Sequence, residues 1–418
     1  MYILPGYVSY EEEDGMLYIS SKLLQNKVKL TEQSIQNEFY SIVKNGGCLK
    51  LSTPLTQFLH QQELLASAEE IEAALQNARR LLRDTLILTI MPTEGCNFRC
   101  TYCYEHHIPT SMTQQMLDQL QTFIIEQAPR FKSIHISWYG GEPILCKDAV
   151  IKIAALVQTL HEQSHIQYSS SMTTNGYLLD ADCFQMFYAV GITNYQITLD
   201  GWTHDQTRPH VSGTGTLQTI LDNLIAISAL PQDKYRFNII LRHNILNGDK
   251  DYSWYDYLHK MFGTDTRFSV AVRSVNDWGG DSVQSLNLLE GNSKAAYQTT
   301  HETYLDKIGM KRTVSSDSLF SRICYAAFPN GFVFRANGKI EKCTVALDNP
   351  KNQVGVLNPE QGVVLFPEAA QPWSESSLEP KCYTCPDILT CFNMQCKRNA
   401  IINGESPYCH RSPQYQES

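Results

Sequence analysis

Three cysteines lie close together in the run EGCNFRCTYCYE, in the first quarter of the chain. The spacing of Cys96, Cys100 and Cys103 allows three thiolates to surround one metal centre. A structural zinc site or a fully ligated iron-sulfur cluster normally takes four ligands, so this run leaves one metal position open. An open iron of a cubane cluster can chelate the amino and carboxylate groups of a ligand and deliver an electron to it. Taken alone, the run is also compatible with a zinc-binding loop.

A second group of cysteines lies in the last quarter of the chain, among Gly, Pro and Asn residues. Its members are Cys324, Cys343, Cys382, Cys385, Cys391, Cys396 and Cys409. The chain has 418 residues and 13 Cys. A chain of this length can bury several cores without disulfides, so these cysteines are expected to be metal ligands.

Composition excludes several classes of partner. The chain carries 34 Lys+Arg against 43 Asp+Glu, a net charge of −9, and has no basic run. Nucleic-acid affinity rests mainly on phosphate neutralisation, so we expect no nucleic-acid partner. No apolar run approaches the ~18 residues of a membrane span, and the N-terminus does not resemble a secretion signal. We therefore expect a cytoplasmic protein without a membrane partner, whose thiols stay reduced.

The middle of the chain repeats strand-then-helix units, which predicts an α/β fold with a parallel sheet, either doubly wound or an incomplete barrel. The predicted strands are 86–92, 133–140, 166–174, 192–200, 235–242 and 267–274, and two predicted helices are 111–127 and 146–163. Ligands of such folds gather at the carboxyl ends of the strands. The cysteine run and the polar motifs YGGEP, TTNG and DGWTHDQTR all follow strands in this way.

Residues 1 to about 80 alternate like short strands, with a turn at Asp14-Gly15, and then become helical. From Thr53, apolar residues at helical spacing predict one helix, a break near Ser67, and a second helix. Hairpins followed by helices suggest a small winged-helix domain. A purely structural N-terminal extension is the other interpretation.

The cysteine run, the βα repeat and the motifs after the strands together resemble radical S-adenosylmethionine (AdoMet) enzymes. The resemblance covers residues 86 to about 280 and implies a partial (β/α)6 TIM-like barrel. It also implies that Cys96, Cys100 and Cys103 hold a [4Fe-4S] cluster that cleaves AdoMet to methionine and a 5′-deoxyadenosyl radical, which takes a hydrogen atom from the substrate. By the same resemblance, Tyr102 packs near the adenine.

The resemblance assigns roles to the motifs that follow the second, third and fourth strands. The segment Gly140, Gly141 and Glu142 would hold the methionine ammonium, with the glycines allowing close backbone approach to the ligand. Polar contacts to AdoMet would come from Thr174 and Asn175. Its carboxylate would be bound by a guanidinium fork. The candidate is Arg208.

Four other polar residues of the strand ends are given no catalytic role. For His204 and Asp205 we favour bracing of the loop over catalysis. Arg242 and Arg273 either face the cavity or are ordinary charges at strand ends, and this choice stays open.

The C-terminal cysteines resemble a SPASM domain, which carries two auxiliary [4Fe-4S] clusters, making three clusters in all. Gly338, in the sequence FRANGKIEKC, fits a hairpin turn of positive φ. The resemblance gives the outer cluster the ligands Cys382, Cys385, Cys391 and Cys409, and the inner cluster Cys324, Cys343 and Cys396. The pattern departs from the family in having four residues, where three are usual, between Cys391 and Cys396.

The stretch VSSDSLFSRI before Cys324 contains no further cysteine, so the inner cluster is expected to have a vacant iron, which suits a substrate thiolate. The spare cysteines Cys48, Cys146 and Cys183 are interpreted as buried thiols.

Enzymes with this arrangement make thioether crosslinks in ribosomal peptides, as the sactipeptide and ranthipeptide synthases do. We therefore expect a peptide maturase with domains 1–80, 81–310 and 311–418: a winged-helix recognition element, a radical AdoMet barrel and a SPASM domain. The first would bind the leader of a precursor peptide by β-addition. Reduced flavodoxin or ferredoxin would supply electrons.

Other functions remain open. Carbon–carbon or ether crosslinking enzymes share the architecture, and an anaerobic sulfatase maturase shares the barrel and cysteine array. The sulfatase maturases place an acidic base directly after the second cysteine of the inner pair, where this chain has Thr344. A non-catalytic iron or zinc protein, from another class, would leave the strand-end motifs without a purpose.

Overall fold

The computed structural model describes residues 1–280, 283–291, 293–313, 322–376, 378–394, 396–405 and 409. Its strands are β1 (Tyr2–Ile3), β2 (Val8–Glu13), β3 (Met16–Ser21), β4 (Asn26–Leu30), β5 (Ala66–Ser67), β6 (Thr85–Ile90), β7 (Ser133–Trp138), β8 (Gln167–Thr174), β9 (Ile192–Thr198), β10 (Asn238–Ile245), β11 (Phe268–Ser274), β12 (Gly331–Phe334), β13 (Lys339–Glu341), β14 (Gln353–Asn358) and β15 (Gly362–Leu365).

The α-helices are α1 (Gln33–Lys44), α2 (Pro54–Gln61), α3 (Ala68–Arg79), α4 (Gln114–Gln127), α5 (Lys147–Ser164), α6 (Ala181–Ala189), α7 (His204–Thr207), α8 (Leu217–Ser228), α9 (Ser253–Phe262), α10 (Ser293–Lys307), α11 (Pro367–Ser374), α12 (Pro380–Tyr383), α13 (Ile388–Cys391) and α14 (Lys397–Ile401).

The described chain folds into two compact units. The first contains the described residues of Met1–Arg83, Ser315–Pro329 and Pro372–Cys409, and the second those of Asp84–Val314 and Asn330–Gln371. The domain bounds 1–80, 81–310 and 311–418 stay a prediction.

The second unit is built on strands β6 to β11, which are parallel neighbours in chain order. This arrangement confirms the predicted α/β partial barrel. In β6 nearly every residue is buried, as is usual for a parallel strand covered on both faces. In β7 burial alternates, so Ile134, Ile136 and Trp138 face the surrounding helices. Each predicted strand lies within three residues of an observed one at both ends.

The same sheet continues beyond the barrel, which the sequence pattern did not indicate. Strand β12 pairs in parallel with β6, and β13, β14 and β15 follow as antiparallel neighbours. The predicted hairpin around Gly338 is confirmed as the β12–β13 turn, with φ of +85°. This hairpin therefore places the segment around Cys343 on an extension of the barrel sheet.

The first unit contains the antiparallel sheet β2-β3-β4. The predicted turn at Asp14-Gly15 joins β2 to β3, and both of its residues have positive φ. Ser67 caps α3 through a capping box with Glu70, which accounts for the predicted break. Leu17 and Ile19 of β3 form one core with Phe39 of α1 and Leu59 of α2.

A second core of the first unit packs α3 against the C-terminal cysteine segment. Its buried members include Ile71 and Leu75 together with Ile388, Leu389 and Phe392. Residues far apart in sequence thus fold around one core.

No described helix combines the length and the low polarity needed to cross a lipid bilayer.

The hairpin turn yields a stability prediction. An added Cβ at Gly338 would take up positive φ and lie 3.1 Å from the Leu357 carbonyl oxygen. We expect Gly338→Ala to lower the free energy of unfolding by about 1–2 kcal/mol, measured in urea. Gly309→Ala is the matched control, because Gly309 also has positive φ but faces open space. An equal or smaller loss for Gly338→Ala would contradict the contact.

Candidate active site

A cleft opens at the carboxyl ends of the barrel strands, in the second unit. It encloses about 960 Å³ of empty space, including the part open to solvent, which is within the range of small-molecule sites. Its wall comes from the loop after β6 and from the ends of β7 to β11. Predicted site residues in this wall are Cys96, Cys100, Tyr102, Cys103, Gly140, Gly141, Thr174, Asn175 and Arg208.

The three cysteines of the loop line this one cleft and influence one another electrostatically. Burial raises the pKa of Cys96 and of Cys103 to about 12, so the metal-free thiols are protonated at neutral pH. The backbone N–H of Phe98 donates to Cys96 Sγ at 3.4 Å. Three thiols on one loop facing one cleft fit a cluster with an open position.

Within the described residues, no three His, Cys, Asp or Glu side chains are grouped as ligands of a single metal ion. Each thiolate of a cubane cluster binds a different iron atom, so its ligands do not have to meet at one point.

The glycines after β7 make their closest approach to protein backbone. A Cβ at Gly140 would lie 2.6 Å from the Thr93 carbonyl oxygen, and one at Gly141 would lie 2.2 Å from that of Gly95. Both glycines line the cleft, but the space they leave is filled by the loop that carries the cysteines. Glycine is therefore required here for packing of two loops, in addition to any contact with a ligand.

The carboxylate of Glu142 lies outside the cleft lining and is fully buried. It accepts hydrogen bonds from the hydroxyl of Thr174 at 2.7 Å, from the N–H of Asn175 at 2.7 Å, and from the N–H of Ile144 at 3.0 Å. Its own N–H donates to the Gly95 carbonyl at 2.9 Å. Glu142 thus ties the ends of β7 and β8 to the cysteine loop.

Tyr102 belongs to a polar network that links the cysteine loop to β9 and β10. Its hydroxyl donates to Asp200 and accepts from Arg208 Nη1 at 2.9 Å. It also accepts from Asn244 Nδ2 at 3.0 Å. Burial raises the pKa of Tyr102, so the hydroxyl keeps its proton. The network fixes Arg208 in the cleft wall, while its Nε has no hydrogen-bond partner among the described residues.

The bracing role expected for His204 and Asp205 is confirmed. Asp205 accepts from the N–H of Thr216 at 2.7 Å and from that of Leu217 at 2.8 Å, at the start of α8. His204 is fully buried, and its Nδ1 accepts from the N–H of Asp200 at 3.1 Å.

Several residues of the cleft were not among the predicted site residues. Glu105 and His107 follow the cysteine run, and Asn244 lies near the end of β10. Burial, followed by the charge of Glu94, raises the pKa of Glu105 to about 7. Arg242, left open above, also lines the cleft. Proximity to Cys103 could have indicated Glu105, whereas Asn244 carries no local signal.

The outer set of C-terminal cysteines lies within the first unit. Cys382 is influenced electrostatically by Cys385 and Cys409, and Cys391 by Cys385 and Cys382. Burial raises the pKa of Cys391 to about 11. The proximity of these four thiols supports the predicted ligand set.

The inner set is divided between the units. In the first unit, the N–H of Cys324 donates to the Met394 carbonyl at 3.0 Å, two residues before Cys396. In the second, Cys343 is buried in a turn held by Asn352, whose Oδ1 accepts from the Cys343 N–H at 2.9 Å and whose Nδ2 donates to the Cys343 carbonyl at 2.8 Å. The role of Asn352 was not predicted.

Residues 90–251 match the model of the Radical SAM superfamily. The matched segment spans the cysteine loop and most of the barrel. Among curated relatives, it is 30% identical over 181 residues to a GTP 3′,8-cyclase of Haemophilus ducreyi, which covers 42% of this chain and 51% of the relative. The chain spans about half the length of the curated relatives it matches first.

A serine-type anaerobic sulfatase-maturating enzyme of Klebsiella aerogenes is 28% identical over 153 residues, or 35% of this chain and 37% of that protein.

Two solved structures show the same fold. Native anSMEcpe with bound AdoMet and Cp18Cys peptide has a TM-score of 0.53 at 16% identity, covering 79% of this chain and 94% of its own. Streptococcus suis SuiB bound to the precursor peptide SuiA has a TM-score of 0.52 at 13% identity, with all of both chains covered.

The cysteines outside both arrays differ in burial. Cys183, in helix α6, is buried as predicted. For Cys48 and Cys146 the prediction was wrong, because both are only partly buried. Cys146 immediately precedes α5 and its thiol contacts the Ser111 hydroxyl, while Cys48 forms a backbone bridge with Tyr2.

The buried His204 yields a pH prediction. Burial lowers its pKa to about 4 from an ordinary 6.5, so the unfolded chain takes up a proton that the folded chain refuses. Stability is therefore complete above pH 6.5 and decreases as the pH falls toward 4. We expect a loss of about 2 kcal/mol at pH 5 from this group, measured by urea unfolding. The loss should be smaller in His204→Asn; an identical pH profile in both proteins would contradict the assignment.

Proposed function

We propose that this chain is a radical AdoMet enzyme that forms thioether crosslinks, between a Cys sulfur and a carbon of another residue, in a ribosomally made precursor peptide. The observation that carries the proposal is the cleft in which three loop cysteines meet the Gly-Gly turn, Thr174 and Arg208 at the strand ends of a matched radical SAM domain.

In this proposal Cys96, Cys100 and Cys103 hold a [4Fe-4S] cluster. When bound, the cluster and AdoMet supply the adenosyl radical that abstracts hydrogen. The chain itself binds and orients AdoMet. The backbone at Gly140 and Gly141 receives the ammonium, and Arg208 receives the carboxylate in the position that Tyr102 and Asp200 fix.

The cluster assignment has a direct test. We expect Cys96→Ala, reconstituted anaerobically with iron and sulfide, to lose about four irons per chain and all deoxyadenosine formation under strong reductant. Cys183→Ala is the matched control, because Cys183 is a buried thiol outside both arrays, and it should keep iron and activity. Deoxyadenosine formation by Cys96→Ala would overturn the assignment.

The C-terminal cysteines support the thioether step. We propose that Cys382, Cys385, Cys391 and Cys409 hold one auxiliary cluster and that Cys324, Cys343 and Cys396 hold another. With three protein ligands, the second keeps one iron for a substrate thiolate. Both clusters would give the intact chain about twelve irons.

The overall chemistry balances as an oxidation. One substrate C–H bond and one S–H bond break, and one C–S bond forms. The hydrogen atom goes to deoxyadenosine, the thiol proton goes to solvent, and one electron remains. We propose the auxiliary clusters as its acceptor, and reduced flavodoxin or ferredoxin as the donor that starts each turnover.

Two observations support a peptide substrate. SuiB and anSMEcpe were solved with peptides bound and share this fold. The sheet β2-β3-β4 has β2 and β4 as edges, and an edge strand can pair with an extended leader peptide. We propose residues 1–80 as the leader-binding element.

The product can be tested with the Cys-containing precursor peptide encoded nearest to this chain's gene. Anaerobic incubation with AdoMet and reductant should yield deoxyadenosine and a peptide lighter by two hydrogens, whose cysteine no longer reacts with iodoacetamide. Loss of two hydrogens with a free, alkylatable thiol would instead identify a carbon–carbon or ether crosslink. Conversion of the cysteine to formylglycine would identify a sulfatase-maturase type of reaction.

Nucleotide cyclisation is a second candidate, favoured by the similarity to GTP 3′,8-cyclases. That similarity covers about two fifths of the chain, whereas the likeness to SuiB covers all of it. We therefore rank peptide maturation first.

A further inference from the structure

Arg242 lies in the cleft wall at β10, where no carboxylate of the described residues forms an ion pair with it. Its Nε donates to the Asn244 side chain at 2.8 Å, and it forms no ion pair with any acid in the described part of the chain. A partly buried guanidinium without an anion is costly unless a ligand supplies one.

Arg273, on the neighbouring strand β11, is not part of this wall. Its side chain is exposed and lies outside the cleft lining, and its Nη1 donates to the Val272 carbonyl at 2.7 Å. Arg273 is therefore an ordinary charge at a strand end, whereas Arg242 faces the cavity.

Ser274 adds a buried hydroxyl to the same end of the cleft. It is 8% exposed and lines the cleft, and its Oγ has no hydrogen-bond partner among the residues described. Leaving such a group unsatisfied lowers the stability of the folded chain. An anion bound here would accept a hydrogen bond from this hydroxyl.

The expected AdoMet carboxylate does not need these groups. Arg208 lies at the other end of the hydrogen-bond network around Tyr102, where it donates to the Tyr102 hydroxyl. The proposed function already assigns Arg208 to the carboxylate of AdoMet. Arg242 remains for a different anion.

We propose that Arg242 and Ser274 bind a carboxylate of the substrate, so that the peptide residue presented to the cleft is Asp or Glu. This inference rests on the proposed function and names the substrate class of the same site. A carboxylate matches the guanidinium fork in a bidentate manner and can accept from the Ser274 hydroxyl. A triphosphate fits less well, because the cleft also contains the acidic Glu105.

The test uses the full chain, reconstituted with iron and sulfide and saturated with AdoMet. The probes are the N-acetyl, N-methylamide derivatives of aspartate and glutamate, whose single charge is the side-chain carboxylate, and of asparagine and glutamine as uncharged analogues. Equilibrium dialysis of labelled probes should show the acids binding at least tenfold more tightly than the amides. Arg242→Gln should remove this preference, and Arg242→Lys should retain part of it.

Arg236→Gln is the matched control, because Arg236 is an exposed arginine just before β10 and outside the cleft lining. It should keep the preference. Equal binding of acids and amides overturns the inference, as does an Arg242→Gln variant that loses affinity for AdoMet instead. Tighter binding of GTP that also depends on Arg242 would identify a nucleotide site and overturn it as well.

Deoxyadenosine formation in the same preparations separates the two proposals. If it is absent under strong reductant, the proposed function fails, whatever the probes show. If it is present and the acids bind no better than the amides, only the carboxylate site fails.

Discussion

One buried carboxylate holds the ends of two strands and the cysteine loop in a single arrangement. The side-chain carboxylate of Glu142 accepts three hydrogen bonds, and its backbone N–H donates one. The buried carboxylate oxygens and the backbone N–H of this residue are thus all hydrogen-bonded. The Gly-Gly turn beside it can pack against the loop only because no Cβ intervenes. The position of three thiols in the cleft depends on this junction.

The other side of the cleft is held by a different interaction. The hydroxyl of Tyr102 lies between the Asp200 carboxylate and the Arg208 guanidinium and is hydrogen-bonded to both. Tyr102 follows Cys100 by two residues, so these hydrogen bonds also hold the cysteine loop. The cysteine loop is therefore held from two sides. The Glu142 carboxylate holds it at the ends of β7 and β8, and the Tyr102 hydroxyl holds it at the ends of β9 and β10. A loop held in this way is pre-organised, so little ordering remains for a bound ligand to bring about.

Much of the barrel was predictable because its signals are local. Strand-then-helix alternation indicates parallel pairing whatever the register, and the cysteine spacing needs no tertiary information. The positive φ at Gly338 also follows from a short motif. By contrast, Asn244, Asn352 and Glu105 become site residues only through folding.

The pairing of β12 with β6 joins segments about 240 residues apart. The sequence pattern within each strand does not predict which strand it will pair with. The role of the two glycines after β7 could be predicted only in part, for the same reason. Two adjacent glycines indicate that another group packs closely against the backbone, but that group lies on another loop and cannot be identified from the sequence.

The sheet pairing at β6 has a further consequence for how the chain can be divided. The first barrel strand has hydrogen-bonded neighbours on both sides, β7 and β12. A fragment ending near residue 310 would keep every barrel strand but leave one side of β6 without its partner. Bare strand edges invite pairing with other molecules, so such a fragment would be prone to self-association. The β12–β13 hairpin therefore protects the edge of the barrel sheet at β6.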